Sequence, residues 1–188
     1  MKALIIAATG IQDQEFVVPY YRLQEAGYTV FVAAPVEPGE KAFQGIGGLW
    51  LPAHRRLPFP GVPHPDLLVL PGGVKAMEKL RLEPKTLDFI REYHAAGNVI
   101  GSMCSGAQLL ISARLVKGRT ISAYPAMQID VENAGGTFHP GPVVTDDRIV
   151  SSPHYKHLGE WMKALLEEAD RVRWIPRHFE SATCAAAL

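Results

Sequence analysis

Cysteine is nearly absent from this chain of 188 residues: there are two, Cys104 and Cys184. Two cysteines without a secretory leader make no disulfide framework. Excess charge of either sign is missing too, since 19 Lys and Arg balance 19 Asp and Glu. That balance removes the electrostatic argument for nucleic acid or an anionic membrane surface as partner. Long hydrophobic runs are lacking, and stretches such as LIIAA and LLVLP are far too short to span a bilayer. The opening MKALIIAATG places a lysine before a short apolar run and reads as a buried first strand, not a signal peptide. A cytoplasmic location is therefore expected. No CxxC or HExxH spacing occurs, and the seven histidines are scattered. Only His154 and His157 lie close together, and they read as a solvated helix start. No metal and no cofactor is expected.

What is present is an alternation of strand and helix. Residues 2–8 (KALIIAA) form a continuous apolar run of strand length, as a parallel strand covered on both faces requires. Residues 13–26 show apolar positions at helical spacing and stop at Gly27. Further strands are predicted at 28–34, 66–73 and 98–104, with helices at 84–96 and 105–113 and one near 125–134. GPVVTDD and RIVSS read as paired strands, and 157–169 as an amphipathic closing helix. Residues 35–65 are rich in Pro and Gly and read as loops with a short hairpin around GGLWLPA. The pattern predicts an α/β fold with a mostly parallel sheet and helices on both faces. A single domain over 1–170 and a C-terminal tail over 171–188 are expected, with Cys184 on the tail and Trp174 a candidate anchor for it. In such sheets the ligand site lies beyond the carboxyl ends of the strands, where the turns at Gly72–Gly73 and at Cys104 fall.

The stretch SMCSG has small residues two before and two after the cysteine, Ser102 and Gly106. That is the layout of a nucleophile elbow, a tight strand-to-helix turn that presents its central side chain. It also sets Cys104 at a helix N-terminus, where free N–H groups favour a thiolate. A glycine turn closing the neighbouring strand, at Gly72 and Gly73, is placed to join the Ser105 N–H in an oxyanion hole. Glu15, near the start of the first helix, becomes chemically interesting if it faces Cys104. A carboxyl beside a thiolate has a raised pKa and acts as hydrogen-bond donor or general acid.

These pieces together resemble the DJ-1/PfpI superfamily over about residues 1–168. The resemblance is carried by MKALIIAA, DQEFVVPYYRLQEAGYTVFVAAP, DLLVLPGG, GSMCSGAQLL, LVKGRTISAYPAMQIDVENAGG and IVSS. RLQEAGYTV and SAYPAMQIDVENAGG are most similar to the PfpI-like branch of intracellular proteases and amidases. The resemblance implies a flavodoxin-like three-layer sandwich that assembles as a homodimer or higher homo-oligomer. It implies that Cys104 is the reactive elbow cysteine, that Glu15 is the carboxyl bonded to it, and that Gly73 and Ser105 supply oxyanion amides. Tyr124 matches a position near the pocket, and Glu78 one that some relatives contribute to a neighbouring subunit. Four positions depart from the family pattern. Ser105 stands where the protease-like branch has histidine, Pro153 where arginine is common, Gln12 where an acid is common, and Ile46 near a family lysine. His154 is the histidine left to approach the pocket.

The reading that follows is a cofactor-independent enzyme acting on a small-molecule carbonyl or amide, of glyoxalase or deglycase type, with Cys104 forming the adduct and Glu15 shuttling the proton. The alternatives are an intracellular cysteine peptidase or amidase, and a non-enzymatic oxidative-stress sensor or chaperone that uses oxidation of Cys104.

Overall fold

The protein is described by a computed structural model over residues 1–57 and 65–174. A seven-stranded sheet forms its centre. Strands β1 (Lys2–Ile6), β2 (Thr29–Ala34), β6 (Leu67–Leu70), β7 (Val99–Met103) and β11 (Ile149–Ser152) run parallel, as does the two-residue β5 (Arg55–Arg56). Only β10 (Val144–Asp146) is antiparallel, and it pairs with β11. The order across the sheet is β10-β11-β7-β6-β1-β2-β5. A hairpin of β3 (Gly39–Gln44) and β4 (Trp50–Ala53) stands apart, and β8 (Thr120–Ile121) pairs with β9 (Thr137–Phe138). The continuous apolar runs have the cause assigned to them, because every residue of β6, β7 and β11 is buried.

Helix α1 (Asp13–Glu25) follows β1. Pro19 lies inside it. Lacking an N–H, Pro19 cannot bond the carbonyl of Glu15 four residues earlier. Helix α6 (Leu158–Trp174) packs on β7 and β11 and touches α1. Helix α4 (Ala107–Ser112) packs on α2 (Val74–Leu80) and on α3 (Pro84–Ala95), and α5 (Gln128–Asn133) follows a 3₁₀ turn. These layers give the flavodoxin-like three-layer sandwich. Among the described residues no helix is long and apolar enough to cross a membrane.

Three differences from the sequence reading have local causes. Helix α2 was not anticipated, since its seven residues bury only Ala76, Met77 and Leu80. Helix α6 continues to Trp174, past the boundary expected at 170, because Arg171 pairs with Glu168 and Arg173 with Asp170 one turn back. Trp174 is 80 % exposed among the described residues, and the tail it was expected to anchor lies outside them. Cys184 lies outside the described residues.

The chain leaves β1 toward β2 on one side and returns to β6 on the other. The crevice between β1 and β6, at their carboxyl ends, is therefore the topological switch point where open α/β sheets bind ligands. Across the sheet, Gly101 of β7 faces α6, and a Cβ there would lie 2.6 Å from Leu165 Cδ2 and 2.8 Å from Trp161 Cζ2. Trp161 cannot withdraw freely, since its Nε1–H donates to Val150 O at 2.9 Å. Gly101→Val is expected to destabilise the fold by about 1–3 kcal/mol through overpacking. Urea denaturation checks this, and an unchanged midpoint would refute the close contact.

Candidate functional site

Four parallel strands end at one edge of the sheet, and each delivers part of the site. After β7 the chain turns sharply at Cys104, whose φ is +55°. A non-glycine residue in the left-handed region carries about 1–2 kcal/mol of strain, which marks a functional constraint. The turn depends on Gly106, where a Cβ would lie 2.2 Å from Leu70 O. After β6, Gly72 and Gly73 pass directly beneath the turn. A Cβ on Gly72 would lie 2.4 Å from Glu15 Oε2 and 2.8 Å from Cys104 Cβ. Gly73 has φ +114° and abuts the backbone of residues 10–12.

Glu15 comes from the first turn of α1 and is 1 % exposed. Its Oε2 accepts the Gly72 N–H at 2.6 Å. Its Oε1 is sealed from solvent without a partner at ordinary hydrogen-bond geometry. Burial raises the carboxyl from 4.5 to about 7, against the lowering pull of the Gly72 N–H, the Cys104 thiol and the Tyr155 backbone. The direction is the one expected, but the cause is burial, and the Cys104 thiol acts against it.

The thiol of Cys104 behaves differently from the sequence expectation. Burial, followed by the neighbouring Glu15 charge, pushes it up to about 12, while the Ser105 backbone and hydroxyl pull the other way. The helix expected to stabilise a thiolate is a 3₁₀ turn over Cys104–Gly106 followed by the six-residue α4. Its amides do not offset burial beside a carboxylate. Cys104 and Glu15 thus act as one titrating unit holding a single proton between about pH 7 and 12. A thiolate beside a neutral carboxyl and a thiol beside a carboxylate are two forms of that one state.

The proposed oxyanion amides are also modified. Gly72 N–H is taken by Glu15, and Gly73 N–H donates to Ser105 Oγ at 2.8 Å. Ser105 is 1 % exposed, so its hydroxyl lies buried between the Gly73 amide and the Cys104 sulfur. Of the three amides, the Ser105 N–H is the one directed at the sulfur.

Above this floor opens a cavity of about 230 Å³, reached by Cys104, Glu15, Gly73 and Ser105. Its walls are Gln12, Ile46, Val74, Tyr124, His154 and Tyr155. Tyr124 is held by its N–H to Cys104 O at 3.2 Å. Ile46 is placed by its N–H to Ile11 O at 2.8 Å. The hairpin tip is pinned by Asp13, which accepts from Gly47 N at 2.6 Å and Leu49 N at 3.3 Å. Of the hairpin, the sequence reading notes only Ile46, as a departure; the bonds of Gly47 and Leu49 to Asp13 span more than thirty positions and have no local signature. His154 accepts the Lys156 N–H through Nδ1 at 3.2 Å and lies against Tyr155, the rings tilted by 41° with centroids 4.0 Å apart. Burial, with Lys156 and His157 adding, lowers its pKa, so the ring is neutral at pH 7. Glu78 is exposed on α2 and does not reach the cavity lining. A larger cavity of about 320 Å³, lined by Arg81, Gln108 and Asp130 among others, holds no nucleophile. No cluster able to hold a metal ion occurs among the described residues.

The buried carboxyl makes stability depend on pH. Its folded pKa is raised, so its contribution is complete below 4.5 and is lost as pH rises through about 7. Keeping it charged at pH 8 costs on the order of 3 kcal/mol. Glu15→Gln, which keeps the Gly72 acceptor, is expected to exceed wild-type stability at pH 8 and to converge on it near pH 4. Denaturant titration at both pH values checks this, and an advantage that does not grow with pH would sink it.

The chain is 34 % identical over 167 residues to the protein named Deglycase PfpI of Pyrococcus furiosus, covering 89 % of this chain and 98 % of that one. It is 30 % identical over 152 residues to Protein/nucleic acid deglycase 2 of Escherichia coli, covering 80 % and 87 %. Among solved structures, a two-domain protein of Anabaena variabilis with DJ-1/ThiJ/PfpI-like and ferritin-like domains superposes with a TM-score of 0.84 at 28 % identity. That match covers 90 % of this chain, which spans 48 % of the Anabaena protein. DJ-1 of Schizosaccharomyces pombe shares the fold with a TM-score of 0.80 at 19 % identity, over 92 % and 97 % of the chains. The profile of the DJ-1/PfpI family matches residues 1–168. With fold, site geometry and these relatives in agreement, the chain belongs to the DJ-1/PfpI family.

Proposed function

We propose that the protein is a cofactor-independent enzyme of small reactive carbonyl compounds, acting as a glyoxalase or deglycase through Cys104. The observation that carries this reading is the buried Glu15 carboxyl, fixed by Gly72 N–H and coupled to the Cys104 thiol on the floor of a small cavity. At about 230 Å³ the cavity is below the roughly 300 Å³ at which drug-sized ligands begin to fit. A three-carbon dicarbonyl enters such a space readily.

In this reading the thiolate form of the pair adds to the aldehyde carbon, and neutral Glu15 protonates the new alkoxide to a hemithioacetal. The Glu15 carboxylate then takes the C–H proton and delivers it to the ketone oxygen, giving an enediol. It takes the proton of the hydroxyl on the sulfur-bearing carbon and delivers one to the adjacent carbon, leaving a lactoyl thioester that water hydrolyses with release of the Cys104 thiol. The sum is methylglyoxal plus water giving lactate. One carboxyl with a pKa near 7 suits both directions of proton transfer at neutral pH. The developing oxyanion falls to the Ser105 N–H, with the Gly73 N–H joining when the Ser105 hydroxyl turns away.

Amide hydrolysis is less well served. A cysteine peptidase needs an imidazole nitrogen free to accept the thiol proton. Ser105 occupies the adjacent position, and Nδ1 of His154 is already bonded to Lys156 N–H, which leaves that ring a donor. Assembly into a homo-oligomer belongs to the same reading and rests on the family resemblance.

Lactate formation from methylglyoxal is expected in the wild type. It should be abolished in Cys104→Ala and reduced at least about 100-fold in Glu15→Gln. Absence of turnover in folded wild-type protein with a titratable thiol would overturn the assignment.

A further inference from the structure

The walls of the cavity and its floor differ sharply in chemistry. The floor carries Glu15 and Cys104, which together hold one negative charge above about pH 7. The walls answer with no cation. Neither lysine nor arginine lines the cavity among the described residues, and the one histidine, His154, is neutral. Lys156 and His157 act on His154 from outside the lining. The wall is instead built from Ile46, Val74, Tyr124 and Tyr155, each left 38–60 % exposed around the mouth.

Such exposure of four large apolar side chains at the rim of one cavity is an arrangement for covering an apolar group. The rim is also anchored. Ile46 is bonded through its backbone to Ile11, the hairpin tip is tied to Asp13, and Tyr124 is bonded to the carbonyl of Cys104. A carboxylate entering here would leave water, find no counter-ion, and approach a like charge within the same small space.

We infer that this site selects uncharged carbonyl compounds bearing an apolar or aryl substituent, that it rejects carboxylate-bearing ones, and that Ile46 is the residue that sets this selection. The inference deepens the carbonyl-enzyme reading and rests on it for the identity of the natural ligand. The selection itself is a property of the wall, so it is readable without turnover. In substrate terms, an aryl α-oxoaldehyde is favoured over glyoxylate or an α-keto acid.

The test is alkylation of Cys104 by three reagents: iodoacetamide, iodoacetate and 2-iodo-N-phenylacetamide. Rates are followed at pH 8 by peptide-resolved mass spectrometry, which separates Cys104 from Cys184. Each rate is divided by that of N-acetylcysteinamide, a neutral free thiol, with the same reagent. The expected result is that iodoacetate is disfavoured at Cys104 by at least about tenfold relative to iodoacetamide. The aryl amide should be favoured over iodoacetamide by several-fold. In Ile46→Lys, at an exposed position where the lysine can be accommodated, the iodoacetate-to-iodoacetamide ratio should move back toward the free-thiol value. Normalised ratios equal to one in the wild type, or a ratio unmoved by Ile46→Lys, overturn the inference. If methylglyoxal gives no lactate while these ratios hold, the reaction assigned above fails and the selectivity stands.

Discussion

The carboxyl of Glu15 is the constraint around which the functional end of the molecule is built. It sits 1 % exposed, with one oxygen on the Gly72 amide and the other sealed without an ordinary partner. A carboxyl in that setting resists ionisation, so its charge is held against a desolvation penalty. The surrounding backbone has no freedom to relieve it. Gly72 must lack a side chain because the carboxylate oxygen and the Cys104 Cβ fill the space a methyl would take. Gly73 must lack one because residues 10–12 run against it, and Gly106 because the β6 carbonyls do. Three glycines, a cysteine in the left-handed region and the start of α1 thus follow from packing one acid against one thiol. A fold seeking stability alone would place an apolar residue at position 15, which makes the retained acid an argument for chemistry.

Ser105 changes how that chemistry is divided. Its hydroxyl accepts the Gly73 N–H, and it also pulls the thiol pKa down against burial and the Glu15 charge. In the proposed reaction the pair therefore exchanges a proton between sulfur and carboxyl within a fixed total charge, with a neutral hydrogen-bonding neighbour in place of a second base. Addition to a carbonyl needs only that exchange. Expulsion of an amine from a tetrahedral adduct needs an additional acid at the leaving atom. The same absence of an imidazole beside the sulfur that weakens the peptidase reading leaves the aldehyde reading intact.

How much of this was legible beforehand follows from the range of each interaction. The strands β1, β6 and β7 are continuous apolar runs because both faces are covered, and such runs are visible in sequence. The elbow at Cys104 is local as well, since Ser102 and Gly106 lie two positions either side of it. Helix α2 escaped because two turns with Lys75, Glu78 and Lys79 on them carry little periodic signal. The two-residue strands β8 and β9 carry none. Glu15 was singled out by its place near the start of the first helix and then by the family resemblance, but its contact with Gly72 bridges 57 positions. The bond from Gly73 to Ser105 bridges 32, and no spacing rule could show that an expected oxyanion amide is already occupied.

The first turn of α1 links the two halves of the site. Glu15 points from it into the floor, while Asp13, two residues earlier, accepts the amides of Gly47 and Leu49 and pins the hairpin that carries Ile46. Floor and wall therefore share one rigid origin but come from different kinds of structure. The floor is set by strand ends and the first turn of α1, and its glycines cannot take a side chain without moving backbone. The wall gathers side chains from several elements, Ile46 among them from a hairpin outside the main sheet. A sequence can revise the wall freely while the acid and thiol stay fixed, as the isoleucine at position 46 illustrates. In the proposed reaction the proton chemistry belongs to the floor that the fold fixes, and the selection inferred for the ligand belongs to the side chains set around it.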